Sequence, residues 1–164
     1  MGDIRLVMAR EPVPDGPSVF LAGPSAVRGG PVPSWRPDAI AELRRQWIDR
    51  RTLTVLSPES RGGRRAERYE HQWDWENVAR EAASVVLFWI PRDMRNMPGM
   101  TTNVEFGVDI ASRRRVVLGC PPDCPDPERN RYLIRLAQVN GAPVCTTLAA
   151  TVAAALQLVQ DDIG

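Results

Sequence analysis

Five short runs rich in β-branched residues alternate along this chain with longer stretches in which apolar residues recur at helical spacing. They are "SVFLAG" (18–23), "LTVL" (53–56), "SVVLFWI" (84–90), "RVVLG" (115–119) and "APVC" (142–145). A strand parallel to its neighbour can be reached only through a crossover, and a helix is the crossover that also covers a face of the sheet. The alternation therefore reads as βαβ units on a parallel sheet. The run at 84–90 is almost continuously apolar, as a central strand covered on both faces must be.

The helices between these runs have legible ends. Pro37 presets the first turn of one over 37–49, in which Ile40, Leu43 and Trp47 recur at helical spacing. A second is expected over 67–83. A third starts in "PGMTTNVEFG" (98–107) and carries Val104, Val108 and Ala111 on one face. A fourth covers 127–139 with Tyr132, Leu133 and Leu136, and a fifth 147–160 with Leu148, Val152, Leu156 and Val159. The expected architecture is an α/β three-layer sandwich on a five-stranded parallel sheet. Residues 1–17, which include "EPVPDGP", are expected to form a flexible arm with at most one short strand near Ile4 to Met8; 18–164 form the domain.

A chain of 164 residues with 43% hydrophobic side chains can bury one sizeable core, so a single domain is expected. The formal net charge of +1 creates no global field toward a nucleic acid polymer or an anionic membrane, and neither is an expected partner. No run approaches the ~18 apolar residues of a membrane span, and "MGDIRLVMAREPVPDG" is too acidic and too poor in apolar residues for a signal peptide. A cytoplasmic protein is expected. Three cysteines make an odd count, against a disulfide framework. Cys120 and Cys124 lack a second Cys/His pair to complete a zinc site, and His71 stands alone. No metal and no cofactor is expected.

In an open parallel sheet, ligands bind outside the carboxyl ends of the strands. The first run leads there into "GPSAVRGGPVPSW" (23–35), whose glycines admit close backbone approach and whose Ser25 and N–H groups could bind sugar hydroxyls or phosphate. This loop lacks the Gly-Lys-Ser/Thr ending of a Walker A loop and does not spell a Rossmann fingerprint. The 84–90 run leads into "PRDMRNMPGMTTN" (91–103), which brings Arg92, Asp93 and Arg95 to the same edge. "SRGGRRAER" (60–68) holds four arginines and two glycines; it reads as a solvated loop, or alternatively as a lid carrying positive charge to an anionic substrate.

Glu105 has two readings. Thr102-x-x-Glu105 fits a capping box, in which the glutamate reaches back to the cap's own N–H. Its place at the ligand edge, between Val104 and Phe106, fits a partly desolvated nucleophile. A second acid precedes the central strand: "YEHQWDWENVAREAAS" (69–84) carries Asp74 and Glu76 beside Trp73 and Trp75, acids and aromatics that could together face a base.

Taken together, "VFLAGP", "WDWENVAREAASVVLFWIPR" and "TTNVEFG" resemble the nucleoside 2-deoxyribosyltransferase-like family over roughly residues 18–120. The resemblance implies a flavodoxin-like sheet of order 2-1-3-4-5 and an N-glycosidic bond as target. It places the nucleophile on Glu105 and the acid that protonates the departing base on Glu76. It also places substrate contacts on Phe20, Gly23, Pro24, Ser25, Asp74, Trp89, Arg92, Asp93, Thr102 and Asn103. The implied substrate is a nucleoside or nucleoside 5′-monophosphate, with transfer of the (deoxy)ribosyl group to another base or to water. The resemblance further implies a homo-oligomer in which a neighbour completes the pocket.

Three departures mark the chain. Phe20 stands where many members carry a tyrosine, Met97-Pro98-Gly99 where an acid often reads the 5′-hydroxyl, and Ser84 where an aspartate is common. Loss of that acid, with Arg28, Arg92 and Arg95 as candidate donors, points to a 5′-phosphate. The competing expectation is a binding module of the same fold, in which Glu105 only caps its helix.

Overall fold

The computed structural model describes residues 2–163. Six strands form one all-parallel sheet: β1 (Ile4–Met8), β2 (Ser18–Ala22), β3 (Leu53–Ser57), β4 (Val85–Trp89), β5 (Val116–Gly119) and β6 (Val144–Cys145), in the order β1-β3-β2-β4-β5-β6. Five of the six follow the expected runs, in the expected flavodoxin-like order. The sixth corrects the expected count. β1 pairs with β3 along its whole length, from Ile4 opposite Leu53 to Met8 opposite Ser57. Val7 joins the core, so the segment ahead of Ser18 supplies an edge strand. It lies where the sequence allows one short strand, near Ile4 to Met8; its brevity and the following "EPVPDGP" keep it out of the expected sheet.

Side chains alternate across the sheet and build two cores. On one face Val19, Leu21, Val55, Leu87 and Val117 meet α1 (Arg36–Gln46) and α5 (Leu148–Ile163) through Leu43, Val152, Leu156 and Val159. Trp47, just past the end of α1, closes this layer and donates its indole N–H to the Arg51 carbonyl. On the other face Phe20, Leu56, Val86, Phe88 and Leu118 meet α2 (Tyr69–Ala82), α3 (Met100–Ala111) and α4 (Arg131–Val139). Phe88 and Phe106 pack edge to face there, with centroids 5.1 Å apart. The interior of β4 is fully buried on both faces, as its unbroken apolar run requires.

β2 lies between β3 and β4, so the chain leaves it toward opposite sides of the sheet. The connections diverge at the carboxyl ends of β2 and β4, which makes the crevice where such sheets take ligands. At the opposite, amino ends, Ser18 and Ser84 exchange bonds: each backbone N–H donates to the other's Oγ, at 3.1 and 3.2 Å. Ser84 therefore docks two strands far from the crevice, and that departure leaves the pocket unaltered. No helix among the described residues is long and apolar enough to cross a membrane.

The edge strand makes a stability test. Removing residues 2–9 takes buried Val7 and Ala9 and the partly buried Ile4 and Leu6 from the core, and should cost more than ~3 kcal/mol at 1.5–3 kcal/mol for a fully buried aliphatic side chain. The denaturant midpoint of the truncated chain measures this; an unchanged midpoint would show an appendage.

Candidate active site

α3 starts at Met100, after Gly99 in the left-handed region (φ 62°) and with no side-chain cap. Thr102 is thus already inside the helix and Glu105 lies a turn deeper, so the capping box does not form. Glycine is needed at 99 for a second reason: a Cβ there would stand 2.9 Å from Pro24 Cβ and 3.0 Å from Arg92 Nη1.

Glu105 faces a cavity of about 340 Å³ at the carboxyl ends of β2 and β4. β2 and its loop supply Phe20, Ala22, Gly23, Pro24 and Ser25; α1 supplies Arg36, α2 Gln72 and Glu76, and α3 Thr101, Thr102 and Glu105. Gly23 is confined: its φ is 146° and a Cβ would fall 2.2 Å from the Trp89 carbonyl oxygen. The cavity therefore joins the two acids proposed from sequence with Phe20, Gly23, Pro24, Ser25 and Thr102. Glu105 and Glu76 also line a second opening of about 400 Å³ between α2 and α3, beside the exposed Trp73 and Val104.

The electrostatics distinguish the two carboxylates. The Glu105 side chain is 24% exposed, and burial pushes its carboxyl up to about 7, with the Glu76 and Asp109 charges adding to the effect. Arg80 opposes the rise. Its guanidinium is buried, with Nη1 3.6 Å from Glu105 Oε1, while Nε and Nη2 donate to Asp109 at 3.1 and 2.9 Å. Arg114 donates to the same Asp109 from the other side. A buried Arg80–Asp109–Arg114 cluster thus holds a cation at a fixed place behind Glu105. Glu76 accepts from Gln72 Nε2 at 2.6 Å. Near neutral pH the nucleophile candidate titrates between an acid and an anion, which is the range useful to catalysis.

Other proposed contacts lie outside the cavity. Arg92 is buried and spends its donors on Asn130 Oδ1 (2.9 Å), the Pro98 and Gly99 carbonyls (2.5 and 3.3 Å) and Asn103 Oδ1 (2.7 Å). It staples the turn that precedes α3 and leaves Asn103 engaged with it. Asp93 accepts from the backbone N–H groups of Arg95 and Asn96 and from Asn96 Nδ2, closing its own loop. Trp89 belongs to the core, Asp74 is exposed on α2, and Arg95 is exposed on its loop. Trp75 packs on Phe20 at 6.3 Å and donates to the Glu11 carbonyl. None of these residues lines the cavity: their polar groups are met by protein or stand on the surface.

Arg36, Gln72, Arg80 and Asp109 were missed from sequence. Arg36 is buried, pulled below the usual arginine range by that burial, and donates to the Leu21 and Gly23 carbonyls and to Ser25 Oγ. Its one local signal was its position beside the Pro37 helix start. Cys120 is no rival nucleophile, since burial pushes its thiol up to about 12. Among the described residues, no group of three or more His, Cys, Asp or Glu could hold a metal ion.

A family model described as "nucleoside 2-deoxyribosyltransferase like" matches residues 16–124, well over half of the chain, and the chain belongs to that family. No curated protein gives a significant match.

The raised Glu105 carboxyl predicts a pH-dependent stability. Folding favours its protonated form, so the folded state loses stability as pH rises from the unfolded value near 4.5 through about 7. Glu105→Gln removes that loss. It should stabilise the protein by up to ~3 kcal/mol at pH 9 and by almost nothing at pH 4.5. Thermal melts at the two pH values check this; a gain of equal size at both would remove the raised carboxyl.

Proposed function

We propose that this family member cleaves the N-glycosidic bond of a nucleoside or nucleoside 5′-monophosphate through a covalent glycosyl intermediate on Glu105. The observation that carries the reading is a half-buried carboxyl, titrating near neutrality, that faces a cavity shared with a second carboxylate at the ligand edge of the sheet. Ionised Glu105 attacks the anomeric carbon from one side. The bond from that carbon to the base nitrogen breaks, its electron pair stays on the base, and a proton drawn from solvent and passed through Glu76 neutralises it. A second base or a water molecule then displaces Glu105 from the sugar. The incoming nucleophile gives up its proton through Glu76 to solvent, so atoms and charge balance.

Phe20 offers Glu105 no hydroxyl, and Arg80 takes over the task of fixing the carboxylate. Its cation also favours the ionised form that the attack requires. Arg36 holds the Gly23 carbonyl and Ser25 Oγ, the rim against which a sugar would lie. In the same proposal the protein forms a homo-oligomer, supported by the exposed Tyr69, Trp73, Val104 and Val108 around the opening between α2 and α3.

Incubation with a panel of nucleosides and 5′-monophosphates should add a glycosyl mass to Glu105. Turnover should rise with pH through about 7, and Glu105→Ala should lose at least ~10³ in kcat, as removal of a nucleophile does. Retained ligand affinity with no turnover in either protein would support the binding module instead. Val104→Asp should shift the sedimentation coefficient toward that of a single chain; an unchanged coefficient would separate this surface from assembly.

A further inference from the structure

Beside the catalytic cavity lies a larger chamber of about 790 Å³, and the two share Pro58 and Gln72 as a common wall. Four arginines line it: Arg10, Arg28, Arg64 and Arg65. Two come from the Arg-rich 60–68 loop, one from the loop after β2, and one from the end of β1, so distant segments converge to place like charges together. Such convergence costs repulsion unless an anion offsets it. Among the described residues none of the four has a carboxylate within 4.0 Å. Glu59, the acid on the chamber wall, is engaged elsewhere, with Ser34 Oγ and with Arg36 at 3.5 Å.

The chamber is also built to hold its shape at the wall shared with the catalytic site. Arg10 sits in the left-handed region (φ 69°) and donates to Gln72 Oε1 at 2.6 Å and to the Arg64 carbonyl at 2.7 Å. Gln72 donates in turn to Glu76 and to the Pro58 carbonyl. The Arg-rich loop is thereby tied through Arg10 and Gln72 to a proposed catalytic acid. Gly62 and Gly63, at φ 69° and 70°, turn the loop so that Gly63, Arg64 and Arg65 line the chamber.

We propose that this chamber seats a chain of two or more phosphoryl groups on the 5′ position of the substrate, so that nucleoside di- and triphosphates are preferred. The inference rests on the glycosidic reading above and names its substrate class. One phosphate monoester carries about −1.5 to −2 and would leave half of four guanidinium charges unmatched; a di- or triphosphate matches them. A sugar over Glu105 with its 5′ chain passing Gln72 leads into the arginines. Arg28 belongs to this group; Arg92 and Arg95, considered with it from sequence, do not line the chamber.

The test compares a nucleoside with its 5′-mono-, di- and triphosphate in the native chain and in Arg64→Ser/Arg65→Ser, whose side chains make no hydrogen bond or ion pair among the described residues. The di- and triphosphate should exceed the nucleoside in kcat/KM by at least tenfold at low salt. The double variant should lose that advantage through KM. In parallel, calorimetry follows inorganic tripolyphosphate, whose binding needs no glycosidic chemistry. Binding that weakens at least tenfold in the double variant upholds the chamber even where no nucleoside or nucleotide is cleaved, a result that would sink the glycosidase alone. Equal turnover of nucleoside and triphosphate, or tripolyphosphate binding unaltered by the two substitutions, overturns the inference and leaves the Glu105 chemistry standing.

Discussion

The buried contact between Arg80 and Asp109 sets the terms for the rest of the site. Asp109 is fully buried, and it is tolerable there because two guanidiniums, Arg80 and Arg114, meet it from opposite sides. One Arg80 nitrogen is left directed at Glu105. Burial raises the Glu105 carboxyl and the guanidinium behind it opposes the rise, leaving it at about 7. A group that can be either acid or anion at working pH is thus a product of opposed environments. Because Arg80 and Glu76 sit on α2 while Asp109 and Glu105 sit on α3, the same ion cluster fixes the two helices on one side of the cavity.

The architecture was largely legible because its signal is local and repeated. Each of the five anticipated strands is a short apolar run bounded by polar segments, whereas their order is implied by the family resemblance. β1 is legible only as an optional short strand near Ile4 to Met8, because its meaning comes from β3, forty-nine positions away in sequence at each paired residue, as with Ile4 and Leu53. α3 starts inside the expected 98–107 stretch, but the capping-box reading within it fails for a related reason. Thr102-x-x-Glu105 satisfies a cap pattern, yet Gly99 in its left-handed conformation begins the helix ahead of Thr102, held there by carbonyl bonds to Arg92 that no local pattern announces.

The cavity gathers the two acids and the β2 loop singled out from sequence, but not the arginine considered with them. Arg92 bonds only protein oxygens and staples its turn; Arg36 and Arg80, passed over in sequence, are buried. Charge type is visible in a sequence, whereas the identity of the acceptor that satisfies it is a tertiary fact. The same limit explains Asp93, whose bonds close its own turn, and Ser84, which serves the far end of the sheet.

Counting donors sorts the arginines more firmly than position does. A guanidinium offers five N–H groups, and one buried with those groups committed to protein oxygens has none to give a ligand. By that measure Arg36, with the Leu21 and Gly23 carbonyls, Ser25 and Glu59, is part of the frame, as are Arg80 and Arg92. Arg10 is intermediate, since it bonds Gln72 and the Arg64 carbonyl yet still lines the open chamber. The frame arginines are buried and shape a small cavity suited to a neutral sugar; those of the chamber meet solvent and remain available to an anion. On the proposed reading, the division puts the Glu105 chemistry in a low-dielectric pocket, where one guanidinium can tune one carboxyl, and leaves charge recognition to a wetter neighbour, where several are needed because each is screened.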